Sequence, residues 1–287
     1  MTPSESRHHK KKRFGQHFLV DAGIADKIAE LGGLHPEDRV LEIGPGRGIL
    51  TERLIARTPH VTAVEIDRDL FAGLRERFGG ISGFRLAEGD ILAADLEDLF
   101  RDSPGKIKVV SNIPYNISGP IVELLIRHRR IISRAVLMVQ KEVAHRLTAS
   151  PGSKEYGLPT LNLGLCAHTE RMMEVKPGSF DPPPEVMSSV VRIDFEDECR
   201  YPLRDEVIFR ELTGAAFRQR RKMVRNTIIP YIVSRGLPEE EAAALLDEAG
   251  IRPDLRPENL SVAEFALLSN IVAERTEKMV SRRDAEG

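Results

Sequence analysis

Val40-Leu41-Glu42-Ile43-Gly44-Pro45-Gly46-Arg47-Gly48 decides how this chain folds. A short apolar run meets three glycines at alternate positions, and Ile49-Leu50-Thr51-Glu52-Arg53-Leu54-Ile55 then takes up helical spacing. The segment reads as strand, tight turn and helix. Glycine lets a backbone turn this sharply and approach a ligand closely. The amides that open the next helix meet that ligand with the positive end of the helix dipole.

The spacing narrows the ligand. A dinucleotide fingerprint is G-x-G-x-x-G, whereas here the third glycine comes one residue early. A Walker loop would need Gly-Lys followed by Ser or Thr, and none is present. The pattern E/D-x-G-x-G-x-G resembles motif I of S-adenosylmethionine-dependent methyltransferases, in which this helix start receives the methionine carboxylate.

Outward from the loop, strand-like runs fall at 39–43, 61–66, 84–87, 107–112 and 135–139. Helical spacing separates them, as in Leu70, Leu74 and Phe78 or Ile121, Leu124 and Leu125. Strands alternating with helices predict an α/β fold, a Rossmann-like, mostly parallel sheet with helices on both faces. Two further strands are expected at 170–175 and 189–195, on either side of Phe180-Asp181-Pro182-Pro183-Pro184-Glu185. From about residue 203 the periodicity is helical to the end. The division expected is a flexible basic tail over 1–13, a sheet domain over 14–198, and a small all-α domain over 199–287.

Parallel sheets bind ligands at the carboxyl ends of their strands, so those ends carry the candidate chemistry. Glu65 closes the second strand and is placed to accept both hydroxyls of a ribose, with Ile66 beside it. Hydrogen bonds to a charged group contribute roughly 1.5–3 kcal/mol each, enough for one carboxylate to fix the sugar. Asp90, just past the third strand, suits an adenine amino group, with Ile91 packing on the ring. Gly44 and Gly46 supply the close backbone approach.

The fourth strand ends in Asn112-Ile113-Pro114-Tyr115. The exocyclic amine of adenine is a poor nucleophile because its lone pair is delocalised into the ring. The Asn112 side-chain oxygen and a backbone carbonyl of Ile113 or Pro114 can both accept from that amine. They would orient the nitrogen and stabilise the positive charge that develops on it. Tyr115 offers a stacking face. Extruding a base costs a few kcal/mol, and one aromatic face returns roughly 1–3 kcal/mol. A second face is therefore expected, and Phe180 is the candidate.

Composition sets the limits. With 41% hydrophobic and 30% charged residues the chain reads as globular. No apolar run approaches a membrane span, and the basic start is followed by no apolar segment that would make it a secretory signal. Two cysteines without ligand spacing fit a reducing compartment, so a cytoplasmic location and no metal are expected. The formal net charge of −2 hides a strong asymmetry. Residues 1–13 carry a net +4, residues 200–235 a net +6, and residues 236–287 a net −6. Clustered cations are the footprint of a nucleic-acid binder.

Together with Lys12-Arg13-Phe14-Gly15-Gln16-His17-Phe18-Leu19, these motifs resemble the ribosomal RNA adenine N6,N6-dimethyltransferases of the KsgA type. Val139-Gln140-Lys141-Glu142-Val143-Ala144, Phe180-Asp181-Pro182-Pro183-Pro184-Glu185-Val186, Ala216-Phe217-Arg218-Gln219-Arg220-Arg221-Lys222 and Glu258-Asn259-Leu260-Ser261 extend the resemblance over nearly the whole chain. The resemblance implies contacts to S-adenosylmethionine from His17, Leu19, Gly44, Glu65, Asp90 and Asn112. Many members have Asn where this chain has His17.

The resemblance also implies a target. This is two neighbouring adenosines in a hairpin loop near the 3′ end of 16S ribosomal RNA, in the small subunit or its precursor, met by a monomeric enzyme. Phosphate contacts are expected from Arg218, Arg220, Arg221, Lys222 and Arg225, read as two turns of one helix whose cations cannot all share a face. Lys11, Lys12 and Arg13 are expected to act with them.

Three other readings compete. The related enzyme that methylates large-subunit ribosomal RNA has similar catalytic residues, and the C-terminal motifs weigh against it. A ribosome-assembly factor would have no need of an amine-orienting Asn112-Ile113-Pro114-Tyr115, although both roles can coexist. A DNA adenine methyltransferase would need a DNA-docking element that the sequence does not show.

Overall fold

The computed structural model describes residues 17–286. Lys11, Lys12, Arg13 and the remainder of the expected basic tail lie outside the described residues. Among the described residues nine strands are formed: β1 (Phe18–Leu19), β2 (Val40–Ile43), β3 (Val61–Glu65), β4 (Arg85–Glu88), β5 (Ile107–Asn112), β6 (Ile132–Gln140), β7 (Ala167–Val175), β8 (Phe180–Asp181) and β9 (Ser188–Phe195).

Seven of them make one sheet in the order β4-β3-β2-β5-β6-β9-β7, while β1 and β8 pair as a separate ribbon. The pairs β4–β3, β3–β2, β2–β5 and β5–β6 are parallel, and β9 runs antiparallel to β6. Such a sheet must be covered on both faces, which is why its strands read as nearly continuous apolar runs. Val40, Ala63, Val110 and Val136 join one buried cluster with the helices Ala22–Leu31, Ile49–Ile55 and Arg68–Phe78. The alternate residues Leu41, Val109 and Leu137 are just as fully buried on the opposite side.

All three glycines of the turn hold a backbone conformation that favours glycine, and the third is also needed for packing. Gly44, Gly46 and Gly48 have φ of 61°, 59° and 79°, the left-handed region that other residues enter at a cost. A Cβ on Gly48 would lie 2.6 Å from Phe78 Cε2 and 3.1 Å from Leu74 Cδ2. The third glycine therefore lets the helix Arg68–Phe78 pack against the turn, and the early third glycine of the motif has a packing role.

By contact density the chain divides into two units, residues 1–145 with 168–195, and residues 146–167 with 196–287. The expected boundary near residue 198 thus needs amending, because 146–167 leaves the sheet unit. The physical reason is apolar burial. Tyr156 and Leu161 are buried in one cluster with Phe209, Leu212, Phe217 and Phe265 of the second unit. Gly152 N also donates to Glu258 O at 2.6 Å. Helices dominate this unit: Leu158–Gly164, Glu206–Arg218, Ile228–Ser234, Glu239–Glu248 and Val262–Glu286.

Candidate active site

In the sheet order, β2 lies between β3 and β5, so the chain turns one way after β2 and the other way before β5. A crevice must open at this reversal, outside the carboxyl ends of the strands. The cavity found there is lined by the ends of β2, β3 and β5, the Gly89–Leu92 turn after β4, and residues 17–19. His17, Leu19, Gly44, Gly46, Glu65, Ile66, Asp90, Ile91, Asn112, Pro114 and Tyr115 all line it, from five separate stretches of chain.

Backbone hydrogen bonds fix the rim. Gly44 N donates to Val64 O at 2.9 Å, Gly89 N to Glu65 O at 2.9 Å, and Ser111 Oγ to Ile43 O at 2.5 Å. Neighbouring strand ends are thereby held in one row. The Glu65 carboxylate is 2% exposed and accepts from Gly46 N at 3.2 Å and Asp67 N at 2.9 Å. Burial pushes its proton affinity up, while these amides and that of Ile66 pull it down and Asp67 adds a further upward push. One amide on each oxygen leaves lone pairs that can accept from two ligand hydroxyls.

Asp90 caps the short turn Ile91–Ala93 through Oδ1, which accepts from Leu92 N at 2.9 Å. Its other oxygen is available to accept from an exocyclic amine. Ile66 is 51% exposed although apolar, and Ile91 is 4% exposed. Both line the cavity, as a bound ring would require. Vicinal hydroxyls, an amine and a flat apolar ring are what an adenosine presents, so the donor and acceptor set fits the nucleoside half of S-adenosylmethionine.

Asn112 ends β5 in register with Met138, and Ile113 N continues the ladder to Met138 O. The carbonyl of Pro114 already accepts from Ile117 N at 3.2 Å, closing the 3-10 turn that follows. Tyr115 is held by its hydroxyl, 2.5 Å from Ser188 Oγ. Burial raises its proton affinity, so the phenol stays neutral. Ser188 is a residue that sequence reasoning missed, because nothing local in Met187-Ser188-Ser189 announces a partner 73 positions away.

The second stacking face is not where the sequence placed it. Phe180 is 4% exposed, packs in the sheet unit's core and does not line the cavity. It pairs with Leu19 across β1 and β8. Strand alternation turns Phe180 inward and Asp181 outward. The aromatic ring that meets Tyr115 is His17, with centroids 5.7 Å apart and planes at 29°. His17 Nδ1 donates to Pro182 O at 2.7 Å, which fixes the ring in that place.

The expected cationic helix face also needs correction. The helix Glu206–Arg218 stops at Arg218, and a 3-10 turn forms only at Val224–Asn226. Arg220 is a buttress within its own unit. It donates to Lys154 O and Tyr156 O, each at 2.8 Å, pairs with Glu258 at 3.3 Å, and lies over the Phe217 ring. Arg218 at the helix end, Arg221 and Lys222 beyond it, and Arg225 in the 3-10 turn are exposed.

Strand order and crevice together define a Rossmann-like class I methyltransferase. The profile described as "Ribosomal RNA adenine dimethylase" matches residues 7–274, and the chain belongs to that family. It is 43% identical to "Ribosomal RNA small subunit methyltransferase A" of Syntrophotalea carbinolica, over 92% of this chain and 97% of that protein. The protein of the same name from Pseudomonas fluorescens is 39% identical over 94% of this chain and 96% of its own length.

Two solved structures are similar. A dimethyladenosine transferase from Plasmodium falciparum superposes with a TM-score of 0.78 at 26% identity, covering 91% of this chain and 98% of the other. The 23S rRNA methyltransferase ErmE gives 0.67 at 27% identity, covering 89% and 99%. This chain is therefore an enzyme of the rRNA adenine methyltransferase class. Among the described residues no helix is long and apolar enough to cross a membrane.

Proposed function

We propose that the enzyme methylates N6 of two adjacent adenosines in the 3′-terminal hairpin loop of 16S ribosomal RNA, on the small subunit or its precursor, with S-adenosylmethionine as donor. The observation that carries this reading is the single cavity shared by Gly44, Glu65, Asp90, Asn112 and Tyr115. S-adenosylmethionine supplies an electrophilic methyl group when bound there.

The chain's own residues do the rest. Glu65 takes the ribose hydroxyls, Asp90 the adenine amine, and Ile66 and Ile91 the ring. Asn112 and the adjoining carbonyl of Ile113 or Pro114 accept from the target amine, so its lone pair turns out of conjugation toward the donor. No strong base is needed, since the proton leaves a nitrogen that has become cationic. Tyr115 and His17 supply aromatic surface for the extruded base. Loop bases are partly unstacked already, which lowers the cost of extrusion. Exposed Arg218, Arg221, Lys222 and Arg225, with Lys11, Lys12 and Arg13, supply the cations for phosphates.

The names of the curated relatives support the small subunit as substrate, and a role in its assembly is compatible with the same surface. The test is incubation with labelled cofactor and unmethylated small or large subunits, followed by nucleoside analysis. Label in N6,N6-dimethyladenosine of the small subunit is expected. Label confined to the large subunit would transfer the reading to the ErmE-like activity.

A further inference from the structure

Arg47 reaches from the glycine turn to both strands of the small ribbon. Its Nη1 lies 2.8 Å from Asp181 Oδ2 on β8, and its guanidinium lies over the Phe18 ring on β1, 4.6 Å from the centroid. Phe18 and Asp181 are direct cross-strand partners, and such partners point to the same face of a ribbon. One guanidinium therefore meets both. The Phe18 ring in turn rests on the glycine turn, since a Cβ added to Gly46 would come 3.1 Å from Phe18 Cδ1. On the other face of the ribbon Leu19 and Phe180 are buried in the core of the sheet unit.

The place of these contacts gives them a use. His17, Phe18, Leu19, Gly44, Gly46 and Arg47 all line the cavity. Ribbon and glycine turn are thus two walls of one cavity, and Arg47 joins them. Two-residue strands make few hydrogen bonds, here Val20 N to Ser179 O at 2.9 Å beside the Leu19–Phe180 pair. Segments of this kind at ligand sites open locally at low cost. The ion pair is itself exposed, with 40% of the Arg47 side chain and 58% of the Asp181 side chain accessible. Exposed pairs contribute little to global stability. This one acts where opening is already cheap.

We infer that Arg47 and Asp181 are positioning residues, which clasp the ribbon to the glycine turn beside the donor site and set how fast donor and spent product exchange. This inference rests on the cofactor reading given above and deepens it. Modifying two adenosines twice each takes several donors in succession, so exchange recurs on every substrate. A clasp made of one exposed ion pair and one ring contact opens readily each time, yet lengthens the occupancy in between.

Release of labelled S-adenosylhomocysteine, the donor without its methyl group, from the intact enzyme into excess unlabelled ligand reads the clasp directly. This ligand has no net charge, so salt acts on the clasp and hardly on the ligand's own attraction. At low salt Asp181→Asn should release it roughly two- to fivefold faster than the native enzyme. Arg47→Ala loses the Phe18 contact as well, and release roughly three- to thirtyfold faster is expected. Raising the salt should speed the native enzyme toward the Asp181→Asn rate and leave that variant nearly unchanged. In the empty enzyme the Val20 amide should exchange its hydrogen faster in Asp181→Asn, while the melting temperature hardly moves. Native release rates in both variants, or a native rate indifferent to salt, would overturn the inference and leave the cofactor reading intact. Failure of both S-adenosylhomocysteine and S-adenosylmethionine to bind would remove the cofactor reading, and this inference with it.

Discussion

At the scale of single residues, Glu42 and Glu65 show how one environment makes two acids behave differently. Both are buried, but Glu65 holds two backbone amides while Glu42 Oε2 holds nothing. A folded-state value of about 8 against 4.5 means that the folded chain binds this proton more tightly than the unfolded one. The associated stability is fully present below about pH 4.5 and is lost as pH rises to 8. Glu42→Gln, measured without ligand, should melt close to the native enzyme at pH 4.5. It should become progressively more stable than the native enzyme up to pH 8, by roughly 3–5 kcal/mol, with no further change above. Parallel melting curves across that range would show that Glu42 is ionised in the fold. Glu65, Asp90 and Asn112 were legible in the sequence because strand ends in a parallel sheet share one edge. Glu42 was not, since an acid inside an apolar strand gives no sign of which partners its carboxyl lacks. Phe180 misled because its alternation against Asp181 depends on pairing with Leu19, far away in the chain.

At the scale of elements, the strand–turn–helix unit was legible from periodicity alone, and so were β2 to β6 to within a few residues. The ribbon of β1 and β8 was not, because two-residue strands have no period to detect. Membership of 146–167 in the helical unit was hidden for a similar reason, since Tyr156 reveals its core only when Phe209 and Phe265 are brought to it. The glycine turn yields a sharper prediction. Gly48→Ala combines a left-handed φ with a 2.6 Å approach to Phe78, so it should destabilise the protein by more than about 2 kcal/mol. Gly46→Ala meets only the Phe18 ring, at 3.1 Å, and should cost less stability, at about 1–2 kcal/mol, while weakening the cofactor site. Denaturant titration of both variants checks the order. The reverse order would contradict the packing role of Gly48.

At the scale of the whole molecule, charge asymmetry was visible in the sequence, but the division of labour within the basic segment was not. Five cations between 218 and 225 looked alike. The end of the helix at Arg218 separates Arg220, bound to two carbonyls and Glu258, from its exposed neighbours. Neutralising Arg221 and Lys222 together should weaken RNA binding and reduce the salt slope by nearly two, at little cost in stability. Arg220→Ala should instead lower the melting temperature and leave that slope nearly unchanged. Equal salt slopes for native enzyme and the double variant would remove the phosphate assignment. The central claim is narrower than any of these: one cavity presents an adenine amine to Asn112 beside a bound methyl donor. It is tested most directly with Asn112→Ala, by measuring labelled-methyl transfer to unmethylated small subunits and S-adenosylmethionine affinity on the same preparation. The account predicts transfer reduced by about a hundredfold to a thousandfold, with donor binding weakened far less. Turnover at the native rate by this variant would contradict it.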